Sequence, residues 1–491
     1  MATPMSDVPW DLLTSNFEFA TSHPDHGDIT NFYPRHKPDQ GKDLNRFVEL
    51  LAESLTTSAA QERKKYAESY EDPDANDIVI PESDLVEMDA SLRRWYLSCA
   101  VSGTPSCLQN RGPLQDERML WSVRRFKHAG VPLPTSGAGG EPVICTHVGD
   151  YNCRCLPRFE DRRMSTFLHD YQRNDCYRFD EENGDGFYGL ELLKALILHG
   201  SMDTVLRICA HHTVDFLSWW DVQTCYCVGP DVALGMMCRD TLRAYILLNF
   251  IRRGFPERCV RKAGGNAKSE EEEWSDPSPD YLSTKTYQRL VHDLTVSDMM
   301  TQIPQFRHME FFGIRDDHSR TCPRKESRWK VKYDHFYPLG RISYKEFIGL
   351  DFDTDPPYMP SAAEIETVRS VLGVKGLPTE LVDIVLGLAD YDETRLLKVP
   401  HDPLHELNRD QLDEYLAWSW QILLRFDMLA RAEGDEIPWD MLIGKCLVES
   451  FPLDMPIKDV PRQEKTECYI KNEDLESDGL RFTERYKTVF L

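Results

Sequence analysis

Asn408-Arg409-Asp410-Gln411-Leu412-Asp413-Glu414-Tyr415-Leu416-Ala417-Trp418-Ser419-Trp420-Gln421-Ile422-Leu423-Leu424-Arg425-Phe426-Asp427-Met428-Leu429 sets the fold class. Leu412, Tyr415, Leu416, Ser419, Ile422, Leu423, Phe426 and Leu429 return at steps of three and four, which places them on one face of a helix. Asn408 followed three residues later by Gln411 reads as a capping box, and Gly434 as the stop. The same spacing recurs elsewhere. Leu44, Phe47, Val48, Leu51 and Leu55 form a stripe behind Asp43, a candidate cap. Leu190, Leu193, Leu196 and Ile197 run to His199-Gly200, after which Val205, Leu206 and Cys209 restart. Leu242, Tyr245, Ile246, Phe250 and Ile251 lead to Arg252-Arg253-Gly254, a basic and glycine ending that suits a helix C-terminus. Ile365, Val368 and Leu372 line one face of a helix over 362–372. The fold class is mainly α, an irregular helical multi-subdomain protein, since no self-similarity at roughly 33 residues supports helical repeats.

With 491 residues the chain exceeds the usual reach of a single core. The sequence divides into an N-terminal helical region with a loop (1–85), a helical domain rich in cysteine and aromatics (86–260) and a mobile acidic linker (261–283). An aromatic and basic connecting region (284–376), a helical unit (377–453) and a charged tail (454–491) follow. The linker carries Gly264-Gly265, then Glu270-Glu271-Glu272-Glu273 and Pro277, where like charge, glycine entropy and proline all oppose packing. Tyr70-Glu71-Asp72-Pro73-Asp74 reads as a solvent loop.

A net charge of −25 opposes binding to nucleic acid, whose backbone is held by Lys and Arg. The doublets Arg162-Arg163 and Arg252-Arg253 read as solvated faces. No membrane span is expected: Tyr245-Ile246-Leu247-Leu248 is broken by Asn249 and closed by arginines, far short of the ~20 residues needed. The first residues have neither a basic start nor an apolar core, so the expected localisation is cytoplasmic or nuclear, with the 14 cysteines reduced.

Few constellations carry chemistry. Cys145, His147, Cys153 and Cys155 offer four zinc-type ligands, but cysteines one residue apart are less specific than the C-x2-C knuckle. Cys225 and Cys227 repeat that spacing with His211 and His212 upstream. Small apolar behaviour in a helical core explains the same thiols. Asp180 to Gly186 resembles a calcium loop, yet Leu192 falls where the bidentate Glu is required. His401-Asp402-Pro403-Leu404-His405 supplies two imidazoles and a carboxylate, but Pro403 opposes the helix that would put both rings on one face. A structured loop is the expected reading, with catalysis by an enzyme of unrecognised type as the alternative. Phosphate-binding, dinucleotide, nucleophile-elbow and kinase signatures are all missing from the sequence.

The sharpest motif is Leu377-Pro378-Thr379-Glu380-Leu381-Val382-Asp383-Ile384-Val385-Leu386, where Leu381, Ile384, Val385 and Leu388 form one apolar stripe. This segment resembles the first helix of an F-box, whose pattern is Leu-Pro-x-Glu followed by apolar residues at helical spacing. The second-helix Val-Cys-x-x-Trp pattern of an F-box does not follow Tyr391. The stretch from Leu377 to about Trp439, with Val399-Pro400-His401-Asp402-Pro403-Leu404-His405, is similar to uncharacterised proteins of filamentous fungi. The resemblance implies a non-enzymatic protein-interaction role. Leu377, Pro378, Leu381, Ile384 and Val385 would contact a Skp-type adaptor of a cullin–RING ligase, with no cofactor required. A structural zinc protein built on Cys145, His147, Cys153 and Cys155 is the alternative.

Overall fold

The computed structural model describes residues 8–20, 30–35, 37–73, 80–84, 193–212, 214, 220, 234–259, 280–296, 308–313, 360–389, 391 and 395–451. They are mainly helical, as the periodicity predicts. The helices are α1 (Trp10–Thr14), α2 (Gln40–Arg63), α3 (Met202–Cys209), α4 (Leu234–Gly254), α5 (Lys285–Val296) and α6 (His308–Phe312). They continue with α7 (Ala362–Val374), α8 (Thr379–Leu388), α9 (Arg409–Ala432) and α10 (Trp439–Ser450). An antiparallel pair, β1 (Phe17–Ala20) and β2 (Asn31–Pro34), aligns Phe17 with Pro34 and Phe19 with Phe32. The N-terminal region, expected to hold only helix and loop, therefore also contains a small sheet.

Helix α4 organises the core. Every residue from Ala244 to Ile251 is buried, so the helix has no solvent face over two turns, where one apolar stripe was expected. It packs against α1, α5, α9 and α10, while α9 and α10 also contact α2. Asn249, which interrupts the apolar run in the sequence, is fully buried and returns its Nδ2 to the Tyr245 carbonyl at 2.9 Å. Thr241 does the same toward Met237 at 2.7 Å. Both donors are thereby satisfied within the helix, while the buried Asn249 Oδ1 has no hydrogen-bond partner among the described residues. Arg243 pairs with Asp293 of α5 and Glu449 of α10, and Arg252 with Asp413 of α9. Burial opposes ionisation of Asp293, yet His292, Arg243 and Arg289 together hold its carboxyl below the ordinary value.

Phe250 sits among rings from four places in the chain. Phe17, Phe32, Phe255 and Phe451 have centroids 4.7 to 5.3 Å from it. The sheet, the end of α4 and the end of α10 therefore meet at one aromatic node. A single buried cluster draws on residues 8–80, 193–259, 281–312 and 397–451, segments far apart in the sequence.

Helix ends obey local chemistry in part. Gly200, Gly376 and Gly434 adopt φ of 87°, 87° and 78°. In each case the next residue's N–H reaches back to the carbonyl of Leu196, Leu372 or Ala430, closing the helix with its glycine in the left-handed region. Arg425, half-buried in α9, donates to the carbonyls of Ile197 and Leu198 and so caps the helical segment over 193–199. The N-termini depart from expectation. Helix α2 starts at Gln40, leaving Asp43 inside its first turn, and it continues past Leu55 to Arg63 with Ala59 buried. Asn408 makes no capping bond to α9. Tyr281, assigned to the linker, is buried in a 3₁₀ turn (Tyr281–Ser283) capped by Asp280; the rest of the linker, 261–279, lies outside the described residues.

Replacing Phe250 by alanine should cost about 3–5 kcal/mol, because the surrounding rings come from elements that cannot collapse onto the gap. Urea unfolding of the full chain measures it. A loss below about 1 kcal/mol would show that the node is not a joint of the fold.

Candidate functional site

Helices α7 and α8 form a hairpin whose chemistry is written locally. Ser361 accepts from the Glu364 N–H at 3.3 Å, and the Glu364 carboxylate accepts from the Ser361 N–H at 2.7 Å, completing a capping box at the start of α7. Gly376 ends that helix, and Pro378 occupies the cap position of α8 with φ −58°. Arg369 of α7 holds Asp383 of α8 at 3.1 Å while also meeting Glu366, so an ion pair crosses between the helices.

The hairpin buries little of its apolar surface. No residue of α7 is buried, and α8 buries only Val382 and Leu386, one turn apart. No residue of either helix is in the main buried cluster. A second stripe on α8, at spacing i, i+3, i+4, i+7, remains in solvent: Leu381 is 50% exposed, Ile384 56%, Val385 41% and Leu388 83%. Val371 and Val374 of α7 are exposed as well. Of the residues singled out in the sequence, Leu381, Ile384, Val385 and Pro378 are exposed and Leu377 is half-buried. Helix α8 is thus apolar on two sides, and the protein covers one.

The histidine loop has a visible structural task. Asp402, fully buried, accepts a hydrogen bond from the Tyr281 hydroxyl, and that oxygen also accepts from the Leu404 N–H at 3.3 Å. Asn408 spends its amide on the loop instead of capping α9. Its Oδ1 accepts from the Val399 N–H, and its Nδ2 donates to the Val399 and Asp402 carbonyls, both at 2.7 Å. Three backbone groups competed for the side chain that a capping box would have used. His405 Nδ1 accepts from the Leu407 N–H at 3.1 Å, and His401 takes φ 61° beside Gly313. The two imidazoles are half-buried and belong to no grouping of three ligand-type side chains among the described residues.

Cys145, His147, Cys153 and Cys155 lie outside the described residues, as do Cys225, Cys227, the acidic stretch 180–186 and the arginine doublet 162–163. Of the described cysteines, Cys238, Cys259 and Cys446 are buried. Burial pushes Cys259 up to about 12 and Cys446 up to about 11, which keeps them as protonated, apolar packing groups. His308 is fully buried with Nε2 3.1 Å from the Tyr415 hydroxyl, and burial pushes it down to about 3. No helix among the described residues is long and apolar enough to cross a membrane.

One grouping of ligand-type side chains escaped the sequence reading. Asp72, from the stretch read as a solvent loop, meets His211 and His212 just past α3. A separation of 140 residues hides such a meeting from any motif search.

The family model for the Gramillins biosynthetic cluster protein GRA5 matches residues 11–464. The chain belongs to that family. The matched span contains the α7–α8 hairpin, the histidine loop and the Asp72 grouping alike, so all three sit within a fungal biosynthetic-cluster family's own sequence. No curated protein and no solved structure matches the chain.

Two outcomes test the buried polar groups. Asn408→Ala should destabilise the chain by about 1–3 kcal/mol, the cost of leaving buried backbone groups unpaired; an unchanged urea midpoint would remove its role as the loop staple. His308 has a folded pKa below its unfolded value, so protons favour the unfolded chain. Its contribution is intact above about pH 6.5 and is lost as pH falls toward about 3. His308→Gln should therefore lose about 2 kcal/mol less than the parent between pH 7 and pH 5. Equal acid sensitivity in the two proteins would contradict a neutral, buried imidazole.

Proposed function

We propose that this chain is a non-enzymatic interaction protein that docks a partner protein on the outer stripe of α8. The observation that carries the reading is the exposure of Leu381, Ile384, Val385 and Leu388 on a helix already packed through its opposite side. Contiguous apolar surface left in water on a folded protein is characteristic of partner sites. An amphipathic stripe at i, i+3, i+4 and i+7 is the form such sites take when a helix is the docking element.

The partner this reading commits to is a Skp-type adaptor. Leu377-Pro378-x-Glu380 at the entry to α8 supplies the F-box-like element, and the exposed stripe supplies the area. Glu380 in the first turn stabilises the helix N-terminus, so α8 is formed before any partner arrives and little ordering entropy opposes docking. The matching family carries the description of a gramillins biosynthetic cluster protein. For this chain the corresponding role is accessory to a biosynthetic cluster, holding or turning over a component instead of transforming a metabolite.

A pulldown with purified Skp-type adaptor tests the proposal. The full chain should retain the adaptor, and Ile384→Asp/Val385→Asp should lose at least about tenfold in affinity, as expected for two residues at the centre of an apolar contact. Because both side chains are exposed, circular dichroism of the variant should be unchanged. No adaptor binding by the parent chain, or equal binding by both proteins, overturns the reading.

A further inference from the structure

Adjacent residues of a helix or strand point their side chains apart, so two neighbouring histidines reach one point only where the backbone turns. His211 and His212 occupy such a turn immediately after α3: the Val214 N–H bonds back to the His211 carbonyl, and the His211 N–H to that of Ile208. Their rings stack, with centroids 4.7 Å apart and planes 25° from parallel. Asp72 faces both. One carboxylate oxygen is 2.9 Å from His212 Nδ1, and the other is 4.0 Å from His211 Nε2.

We propose that Asp72, His211 and His212 bind a divalent transition-metal ion of the zinc class. Two imidazole nitrogens and a carboxylate are the donors zinc prefers after thiolate. Bond lengths of about 2.0–2.2 Å to a tetrahedral ion place ligand atoms roughly 3.4 Å from one another. His212 Nδ1 and its carboxylate oxygen are 2.9 Å apart, and one ligand atom from each of the three residues falls within 4.8 Å of the others. Small rotations about side-chain bonds suffice to close the set.

The framework holding these groups is fixed independently of any ion. Tyr70, two residues before Asp72, donates to Asp203 of α3 at 2.7 Å, and Arg63 donates to the carbonyls of Ala67 and Glu68. The loop after α2 is thereby ordered and tied to the first turn of α3, the eight-residue helix that leads directly into His211, and His211 is itself buried. An exposed His212–Asp72 ion pair alone is worth little, about 0–1 kcal/mol, and needs no second imidazole aligned on the same carboxylate. Asp72 and His212 are exposed, so the fourth position faces solvent and takes water. Such a site ties two segments 140 residues apart, a structural clamp more than a catalytic centre.

The test uses the full chain carrying Cys145→Ser/Cys153→Ser, which removes thiolate ligands, after chelator treatment. Calorimetric titration with zinc chloride should show one equivalent bound, and zinc should raise the melting temperature. Asp72→Asn/His212→Gln in the same background should weaken binding at least about tenfold and abolish the thermal shift. Both side chains are exposed, and an unchanged circular dichroism spectrum shows that the fold persists. Absence of zinc binding in the cysteine-substituted chain, or equal binding with and without Asp72 and His212, overturns the assignment.

Discussion

Burial of α4 on every side from Ala244 to Ile251 is the constraint from which the remaining architecture follows. Two helical turns with no solvent face must find apolar neighbours around their whole circumference, and α1, α5, α9 and α10 pack against this helix. Its polar side chains then have to be answered inside the protein. Asn249 and Thr241 fold back onto their own helix, while Arg243 and Arg252 reach carboxylates on α5, α9 and α10. Those ion pairs also fix orientation, since removing one partner would leave a partly buried charge exposed to the cost of desolvation. The aromatic node at Phe250 adds the strands and the end of α10 to the same body.

A core built this way neutralises the reactive groups it contains. Cys259 and Cys446 are pushed upward by burial and His308 downward, so each stays uncharged near neutral pH. Groups with capacity for recognition are found instead at the margins of the described chain. The α7–α8 hairpin lies outside the buried cluster and keeps one apolar stripe in water. Asp72, His211 and His212 gather where a loop crosses the end of α3. The two features are far apart in sequence and draw on different chemistry, and neither needs the other.

Local patterns were read well wherever one segment carries the whole message. The stripe from Leu412 to Leu429 is a helix whose members are buried, the glycines at 200 and 434 do end helices, and the α8 stripe is where its spacing placed it. Caps were read less well. Asn408 has the right type and spacing for a capping box, yet Val399 and Asp402 claim its amide across the loop. Ser361 and Glu364 form a capping box ahead of a helix none of whose residues is buried, so no strong apolar stripe marks its start. Strands β1 and β2 were missed because four-residue runs carry too little alternation to stand out.

Sequence alone determined the helical class, the chief helix terminators and the presence of an apolar stripe after Leu377-Pro378, because each is a relation among residues within a few turns. Tertiary structure alone decided which stripes are covered. Spacing marks a face as apolar but cannot say whether another helix lies against it, so α4 proved closed on all sides from Ala244 to Ile251 and α8 open on one. The same reason hid the meeting of Asp72 with His211 and His212: proximity created by folding leaves no trace in the order of the residues.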